Sequence, residues 1–94
     1  MESRMSASNT LTVDVDRLWA TIDRSAAIGR FRDAGLRRLA LSPEDKQMRD
    51  LFVGWAREAG CAIEVDLVGN IFARRPGTDR SLPPVAIGSH LDTQ

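Results

Sequence analysis

The chain has 94 residues, of which 43% are hydrophobic and 28% are charged. This composition is typical of a globular protein, and the length allows one small domain at most, which excludes disordered, fibrous and multidomain proteins. Thirteen basic and thirteen acidic residues cancel, so no global field would attract nucleic acid or an anionic membrane. We therefore expect neither as a partner.

The first ten residues and the cysteine content bear on the cellular compartment. Residues 1–10 lack the apolar core of a signal peptide and are predicted to form a disordered leader. No window of the sequence reaches the roughly 18 apolar residues that a membrane-spanning helix needs. Cys61 is the only cysteine, which excludes an intrachain disulfide and is typical of a reducing compartment. We expect a cytoplasmic protein.

Apolar residues at helical spacing predict a first helix over residues 14–28, with Thr12 or Asp14 as its N-cap and Gly29 at its end. The positions expected to face the core are Leu11, Val15, Leu18, Trp19, Ile22 and Ala26. Residues 29–41 show no sustained period and are predicted to be an ordered loop or a broken helix. This stretch is rich in arginine, and a solvated, mobile connection explains it better than a phosphate-binding patch. The arginines are Arg30, Arg32, Arg37 and Arg38.

The second helix has clear signals at both ends. Ser42 is a typical N-cap, Pro43 suits the first helical position, and the two carboxylates that follow suit the positive end of the helix dipole. Gly60 ends the helix. Gly54 lies inside it at a cost of about 1 kcal/mol relative to alanine, which indicates close packing against a neighbour. The apolar face consists of Met48, Leu51, Phe52, Trp55 and Ala59.

Three strands are predicted after the helices. Alternating apolar residues over 61–67 predict a strand with one buried face, and residues 71–75 return as its partner across a turn in which Gly69 or Asn70 supplies a positive φ. Residues 85–87 are apolar without alternation, which is typical of an interior strand covered on both faces. The order of two helices and three strands indicates an α/β fold, but such an interior strand needs a further layer that this chain lacks.

The residues after the third predicted strand give the strongest indication of a functional site. His90, the only histidine, follows the strand end, where open α/β sheets place ligands and metals, and imidazole binds zinc, manganese, cobalt or nickel. Asp92 can accept the hydrogen bond from the other ring nitrogen that orients a ligating histidine. Two alternatives stay open: His90 as a hydrogen-bonded structural residue, and Asp92 as a helix cap together with Thr93.

Two other reactive side chains are weaker candidates. Cys61 is best interpreted as a small buried hydrophobic residue, because no second histidine could activate it. Ser89 precedes His90, but adjacent residues of a strand point to opposite faces, which argues against a nucleophile and base pair.

Three segments in register along residues 11–94 resemble one enzyme family. Residues 88–94, Gly-Ser-His-Leu-Asp-Thr-Gln, are similar to the first metal motif of the hydantoinase/carbamoylase amidases, which include N-carbamoyl-L-amino-acid hydrolases, β-ureidopropionases and allantoate amidohydrolases. Residues 38–45 resemble the family's approach to its second helix, and residues 66–74 resemble its first hairpin. The resemblance implies that residues 11–94 are the incomplete amino-terminal part of an aminopeptidase-like (phosphorylase/hydrolase-like) three-layer catalytic domain.

The resemblance also implies a metal-dependent reaction. His90 would be a ligand of one of two divalent metal ions (Zn, Mn, Co or Ni), and Asp92 would orient it. Water activated by the metals would hydrolyse carbon–nitrogen bonds other than peptide bonds in small-molecule linear ureides or amidines, N-carbamoyl amino acids or allantoate. The other ligands, the general-base glutamate and the lid domain lie downstream in the family, so this chain would hold at most one ligand and be inactive alone. The full-length relative would be a homodimer.

Two other functions are compatible with these residues. A metallo-exopeptidase or deacylase of the same superfamily shares the spacing of His90 and Asp92, and the downstream lid and substrate residues would discriminate it. A non-catalytic interaction module is the interpretation favoured if the 94-residue chain is monomeric, cooperatively folded and metal-free.

Overall fold

The computed structural model describes residues 10–94 of the chain. The elements in chain order are helix α1 (Val15–Ala26), strands β1 (Arg30–Phe31) and β2 (Gly35–Leu36), helix α2 (Pro43–Glu58), and strands β3 (Ala62–Val65) and β4 (Ile71–Arg74). The strands form two antiparallel pairs, β1 with β2 and β3 with β4. The predicted α/β class and both predicted helices are confirmed. The predicted leader lies, apart from Thr10, outside the described residues.

Helix α1 begins after Asp14, whose carboxylate accepts a hydrogen bond of 3.0 Å from a backbone N–H of the first turn. Asp14 rather than Thr12 is therefore the N-cap. Gly29, with φ of 81°, turns the chain after the helix, as predicted. No residue of α1 is buried, and Trp19, expected in the core, is 59% exposed. The apolar face of α1 therefore lacks a cover among the described residues.

The connection between the helices contains a short hairpin, β1 with β2. Phe31 pairs with Gly35, and the two backbones approach so closely that a Cβ at position 35 would lie 2.9 Å from the carbonyl oxygen of Phe31. The sequence predicted an ordered loop or a broken helix here. A strand of two residues is too short to show a period, which is why the pattern did not predict the hairpin.

Helix α2 begins and ends where predicted. The N–H of Asp45 donates to Ser42 Oγ at 3.1 Å, and the N–H of Leu41 donates to the Asp45 carboxylate at 3.0 Å. These bonds satisfy N–H groups at the helix start and hold Leu41 at a φ of 70°. Met48, 3% exposed, lies in the small buried core, and α2 packs against β3. A Cβ at Gly54 would meet no described atom within 4 Å, so the predicted close packing there is wrong.

Strands β3 and β4 form the predicted hairpin with a register of four residue pairs. The carboxylate of Asp66 closes the turn by accepting from the backbone N–H of Asn70 at 2.8 Å and from its Nδ2 at 2.9 Å. Gly69 has a φ of 92°, as predicted. Leu67 lies fully exposed in the turn instead of ending β3. Strand β3 ends at Val65, two residues earlier than predicted, because the Asp66 side chain starts the turn.

Residues 85–87 do not form the predicted third strand. Val85 is 93% exposed and Ile87 is 96% exposed, and the segment has no regular structure. A strand requires a neighbour that pairs with its backbone N–H and C=O groups, and neither described hairpin pairs with this segment. The prediction of an interior strand is therefore wrong for the part of the chain that the structure describes. No helix within residues 10–94 is long and apolar enough to cross a membrane.

Candidate metal site

His90 and Asp92, the two candidate site residues, lie side by side in the segment that follows residues 85–87. Nδ1 of His90 is 2.9 Å from the backbone carbonyl oxygen of Asp92 and 3.3 Å from its Oδ1. The His90 side chain is 79% exposed and that of Asp92 is 42% exposed. Asp92 thus contacts the ring through both its backbone and its carboxylate.

The contact at Nδ1 selects one form of the neutral imidazole. A carbonyl oxygen only accepts hydrogen bonds, so the neutral tautomer that forms this bond is the one with the proton on Nδ1, which donates a hydrogen bond to Asp92. The free lone pair then lies on Nε2 of His90, which is the form in which an imidazole binds a metal while its other nitrogen is held by a second group. This donor set fits one position of a metal site. Within residues 10–94, no three His, Cys, Asp or Glu side chains lie together as a metal-binding group.

The segment that carries His90 is held by Arg38, a residue predicted from the sequence to lie in a solvated connection. That prediction is wrong for Arg38, which is 7% exposed. Its Nη1 donates to the carbonyls of Ser25 at 2.6 Å and Ile28 at 2.9 Å, and its Nε donates to the carbonyl of Leu91 at 3.2 Å. The Ser25 and Ile28 carbonyls lie at the C-terminal end of α1, where the helix dipole favours a cation.

Thr93 is held by the same residue. The N–H of Arg38 donates to Thr93 Oγ1 at 2.8 Å, the N–H of Thr93 donates to the Arg38 carbonyl at 2.7 Å, and Thr93 Oγ1 donates to the Leu36 carbonyl at 3.4 Å. Thr93 is therefore a hydrogen-bond partner of Arg38. The pattern of the sequence missed this pairing because its members lie 55 positions apart.

The remaining arginines of the basic stretch are exposed, as predicted. The guanidinium groups of Arg32 and Arg37 lie 5.0 Å and 5.4 Å from the ring centroid of Phe31. Exposed contacts of this kind contribute about 0.5–1 kcal/mol each. They stabilise the β1–β2 hairpin locally and leave the guanidinium groups in solvent.

The two weaker candidates lie apart from any catalytic arrangement among the described residues. Cys61 is a free, half-buried thiol between α2 and β3, and its backbone N–H donates to the Ala56 carbonyl at 2.9 Å. Ser89 is exposed, and within residues 10–94 its hydroxyl forms no hydrogen bond with His90.

Comparisons of sequence and fold with known proteins identify the family of the chain. No family model matches the chain. The chain is 46% identical over 82 residues to an N-carbamoyl-L-amino-acid amidohydrolase of Rhizobium meliloti, covering 87% of the chain and 20% of that protein. It is 43% identical over 84 residues to the N-carbamoyl-L-amino-acid amidohydrolase of Pseudomonas sp. (strain NS671), covering 89% of the chain and 20% of the relative.

The fold is similar to a solved structure of the same kind. The crystal structure of a hydantoinase/carbamoylase family amidase from Burkholderia ambifaria matches with a TM-score of 0.85 and 52% identity, covering 89% of this chain and 20% of that one. Fold and sequence together define the class, an amidohydrolase segment. The chain belongs to the hydantoinase/carbamoylase family of amidases, which confirms the resemblance found in three segments of the sequence. It spans about a fifth of the length of these relatives.

Proposed function

We propose that this chain forms the amino-terminal part of the catalytic domain of a metal-dependent amidohydrolase. The enzyme hydrolyses carbon–nitrogen bonds other than peptide bonds in linear ureides or amidines, with N-carbamoyl amino acids or allantoate as substrates. The observation that carries the proposal is the contact of His90 Nδ1 with Asp92 at 2.9 Å, which leaves Nε2 for a metal. The two N-carbamoyl-L-amino-acid amidohydrolases among the relatives support the reaction class.

In this proposal, His90 holds one of two divalent ions (Zn, Mn, Co or Ni) through Nε2, and Asp92 keeps the ring in the tautomer with the proton on Nδ1. When bound, the ions supply a Lewis acid and an activated water nucleophile. Catalytic sites of this type use about three protein ligands for each ion, so the other ligands and a general-base glutamate come from outside residues 10–94. The 79% exposure of the His90 side chain leaves the ring accessible to them.

The compartment and the assembly state belong to the same proposal. Cys61 is a free, half-buried thiol. A free thiol is typical of the reducing cytoplasm and supports this location. We also propose a small-molecule substrate as the binding partner and a homodimer for the full-length protein. Sedimentation of a full-length chimera with a relative measures the assembly state.

The proposal is tested in a chimera in which residues 11–94 replace the matching segment of the Pseudomonas N-carbamoyl-L-amino-acid amidohydrolase. We expect the chimera to hydrolyse N-carbamoyl amino acids and to hold two metal ions per subunit. His90→Ala should lose activity and one ion, because it deletes a ligand. Metal content by mass spectrometry and amino-acid release measure both effects.

Ser89→Ala is the matched control, because Ser89 is exposed beside His90 and has no role in the proposed site. It should keep both metal ions and most of the activity. Full metal occupancy in the His90→Ala chimera would contradict the ligand assignment. A folded, unsubstituted chimera that binds no metal would contradict the proposal as a whole.

A further inference from the structure

Arg38 carries a positive charge into the interior of the fold, where it is 7% exposed. A buried guanidinium is unfavourable unless its N–H groups are hydrogen-bonded. Three backbone carbonyls accept hydrogen bonds from Nη1 and Nε of Arg38. The ion pairs found among residues 10–94 are Lys46 with Asp50 and His90 with Asp92, so Arg38 is not part of either. The charge of Arg38 is therefore compensated by main-chain dipoles from two distant parts of the chain.

The three carbonyls come from two separate parts of the chain. Those of Ser25 and Ile28 belong to the end of α1, and that of Leu91 belongs to the segment of residues 90–93, which we call the site segment. The planar guanidinium directs several N–H groups in fixed directions, so one side chain reaches both parts at once. The single ammonium of a lysine lacks this geometry. Arg38 thus bridges α1 and the site segment.

The bridge is continued by the backbone of Arg38. Reciprocal hydrogen bonds of 2.8 Å and 2.7 Å join it to Thr93, so Arg38 holds residues on both sides of Asp92. Asp92 in turn provides the two contacts to Nδ1 of His90. A continuous series of contacts therefore runs from Arg38 through Leu91, Thr93 and Asp92 to the His90 ring.

Gly29 leaves the space in which the Arg38 side chain reaches the end of α1. Its φ is 81°, and a Cβ at this position would lie 2.5 Å from Cγ of Arg38 and 2.7 Å from the carbonyl oxygen of Arg37. The N–H of Arg37 also donates to the Gly29 carbonyl at 2.6 Å. The close approach of the two backbones brings the Arg38 side chain to the end of α1.

We infer that Arg38 is a positioning residue for the proposed metal ligand His90, acting through Leu91, Thr93 and Asp92. This inference rests on the proposed function, in which His90 is a metal ligand. The His90 tautomer and the hydrogen bonds of Arg38 can nevertheless be measured without metal. Arg38 does not touch the reacting atoms. Its role is to keep the site segment at one distance from α1, so that Nε2 of His90 is presented in one orientation.

The test uses the metal-free 94-residue chain, in which His90 is the only histidine and its ring signals are unambiguous. Ring ¹⁵N chemical shifts report the tautomer, and amide hydrogen exchange of Thr93 reports the bridge. We expect the proton mainly on Nδ1 and a slowly exchanging Thr93 amide. Arg38→Met should move the ring to the opposite tautomer and speed Thr93 exchange at least tenfold.

Further variants separate positioning from general stability. Arg37→Met is the matched control, because Arg37 is an exposed neighbour, and it should leave both signals unchanged. Thr93→Val removes the acceptor for the Arg38 N–H with little change of shape, and it should reproduce part of the Arg38→Met effect. Thr93→Ser restores the hydroxyl and should restore the tautomer. Arg38→Lys should behave like Arg38→Met, because lysine cannot bridge both parts.

The outcomes distinguish this inference from the proposed function. Faster Thr93 exchange without a change of His90 tautomer, in both Arg38→Met and Thr93→Val, would make Arg38 a structural residue only and overturn the inference. An unsubstituted chain without a preference for Nδ1–H would overturn it too. The spectra can be as expected while the His90→Ala chimera keeps its metal. In that case the proposed function is contradicted, and the role of Arg38 in positioning the His90 ring is supported.

Discussion

Residues 42–74 and residues 82–94 are held in place in different ways. In the first region, caps and turns join residues three or four positions apart, as in Ser42 with Asp45 and Asp66 with Asn70. The second region has no helix or strand, and hydrogen bonds with Arg38, 53 and 55 positions away, hold its residues Leu91 and Thr93. The scaffold is thus encoded locally, whereas the proposed site depends on a distant residue. Five predictions test this difference.

The largest expected effect concerns metal binding by the chain alone. The 94-residue chain should bind zinc or manganese at least about a hundredfold more weakly than the chimera, because it lacks several ligands and loss of an orienting contact alone costs about 10–100-fold. Calorimetry with each metal measures the affinity, and sedimentation with a thermal melt measures assembly and cooperativity. A monomer with a sharp transition and submicromolar affinity would mean that the chain is a complete metalloprotein.

A core substitution tests the first region. Met48→Ala should destabilise the chain by about 2–5 kcal/mol, because Met48 is 3% exposed and its removal leaves a cavity between α2 and its neighbours. Urea unfolding measures the change. Met48→Leu, which conserves volume, should cost less than about 1.5 kcal/mol. Equal losses in the two variants would show that Met48 is not packed as described.

The bridge from α1 through Arg38 to the site segment is tested at Gly29. Gly29→Ala should destabilise the fold by about 1–3 kcal/mol, because a side chain is strained at a φ of 81° and would clash with Arg38. Thr93 exchange should rise in the same variant. Gly54→Ala is the control, since nothing described lies within 4 Å of that position. It should be neutral or stabilise by up to about 1 kcal/mol, and a loss there would reveal packing at Gly54.

The contact between Asp92 and His90 has a smaller expected effect than deletion of the ligand. Asp92→Asn in the chimera should lower metal affinity or activity about 10–100-fold, because it weakens the orienting contact without removing a ligand. Competition with a chelator measures the affinity. Unchanged affinity and rate would mean that the backbone carbonyl at 2.9 Å orients the ring without help from the carboxylate.

The smallest effect is a local one of pH in the first region. Hydrogen bonds from the Asn70 side chain and backbone lower the pKa of Asp66 below its ordinary value of 3.8. Asp66 therefore stabilises the β3–β4 turn above pH 3.8, and this contribution is lost as the pH falls through the lowered pKa. The Asn70 amide shift should change over that acidic range while Thr93 is unaffected. Asp66→Asn should abolish the change, and an identical profile in that variant would assign it to another group.

Much of the first region could be predicted because its signals are local. Ser42, Pro43 and Gly60 define the limits of α2, and Gly69 marks the turn of the β3–β4 hairpin. Each residue acts on neighbours within one turn, so its chemistry is visible in the sequence. The β1–β2 hairpin escaped prediction because two residues per strand leave no periodicity.

The second region shows where such signals fail. Residues 85–87 have the composition of an interior strand but no pairing partner among the described residues, and a strand is a property of a pair, not of a segment. Arg38 was indistinguishable in the sequence from its solvated arginine neighbours, although it is buried. Burial of a charge depends on which carbonyls the fold brings around it, and these lie 10, 13 and 53 positions away.

The two helices, the β3–β4 hairpin, the family and the pair of His90 and Asp92 could be predicted from the sequence, because each of these depends on residues close together in the chain. Three features became visible only in the folded chain: the uncovered apolar face of α1, the unpaired residues 85–87, and the bridge that Arg38 forms between α1 and the site segment. These features require contacts between residues far apart in the chain. Local preferences do not specify such contacts, since they form only when the folded backbone brings the partners together.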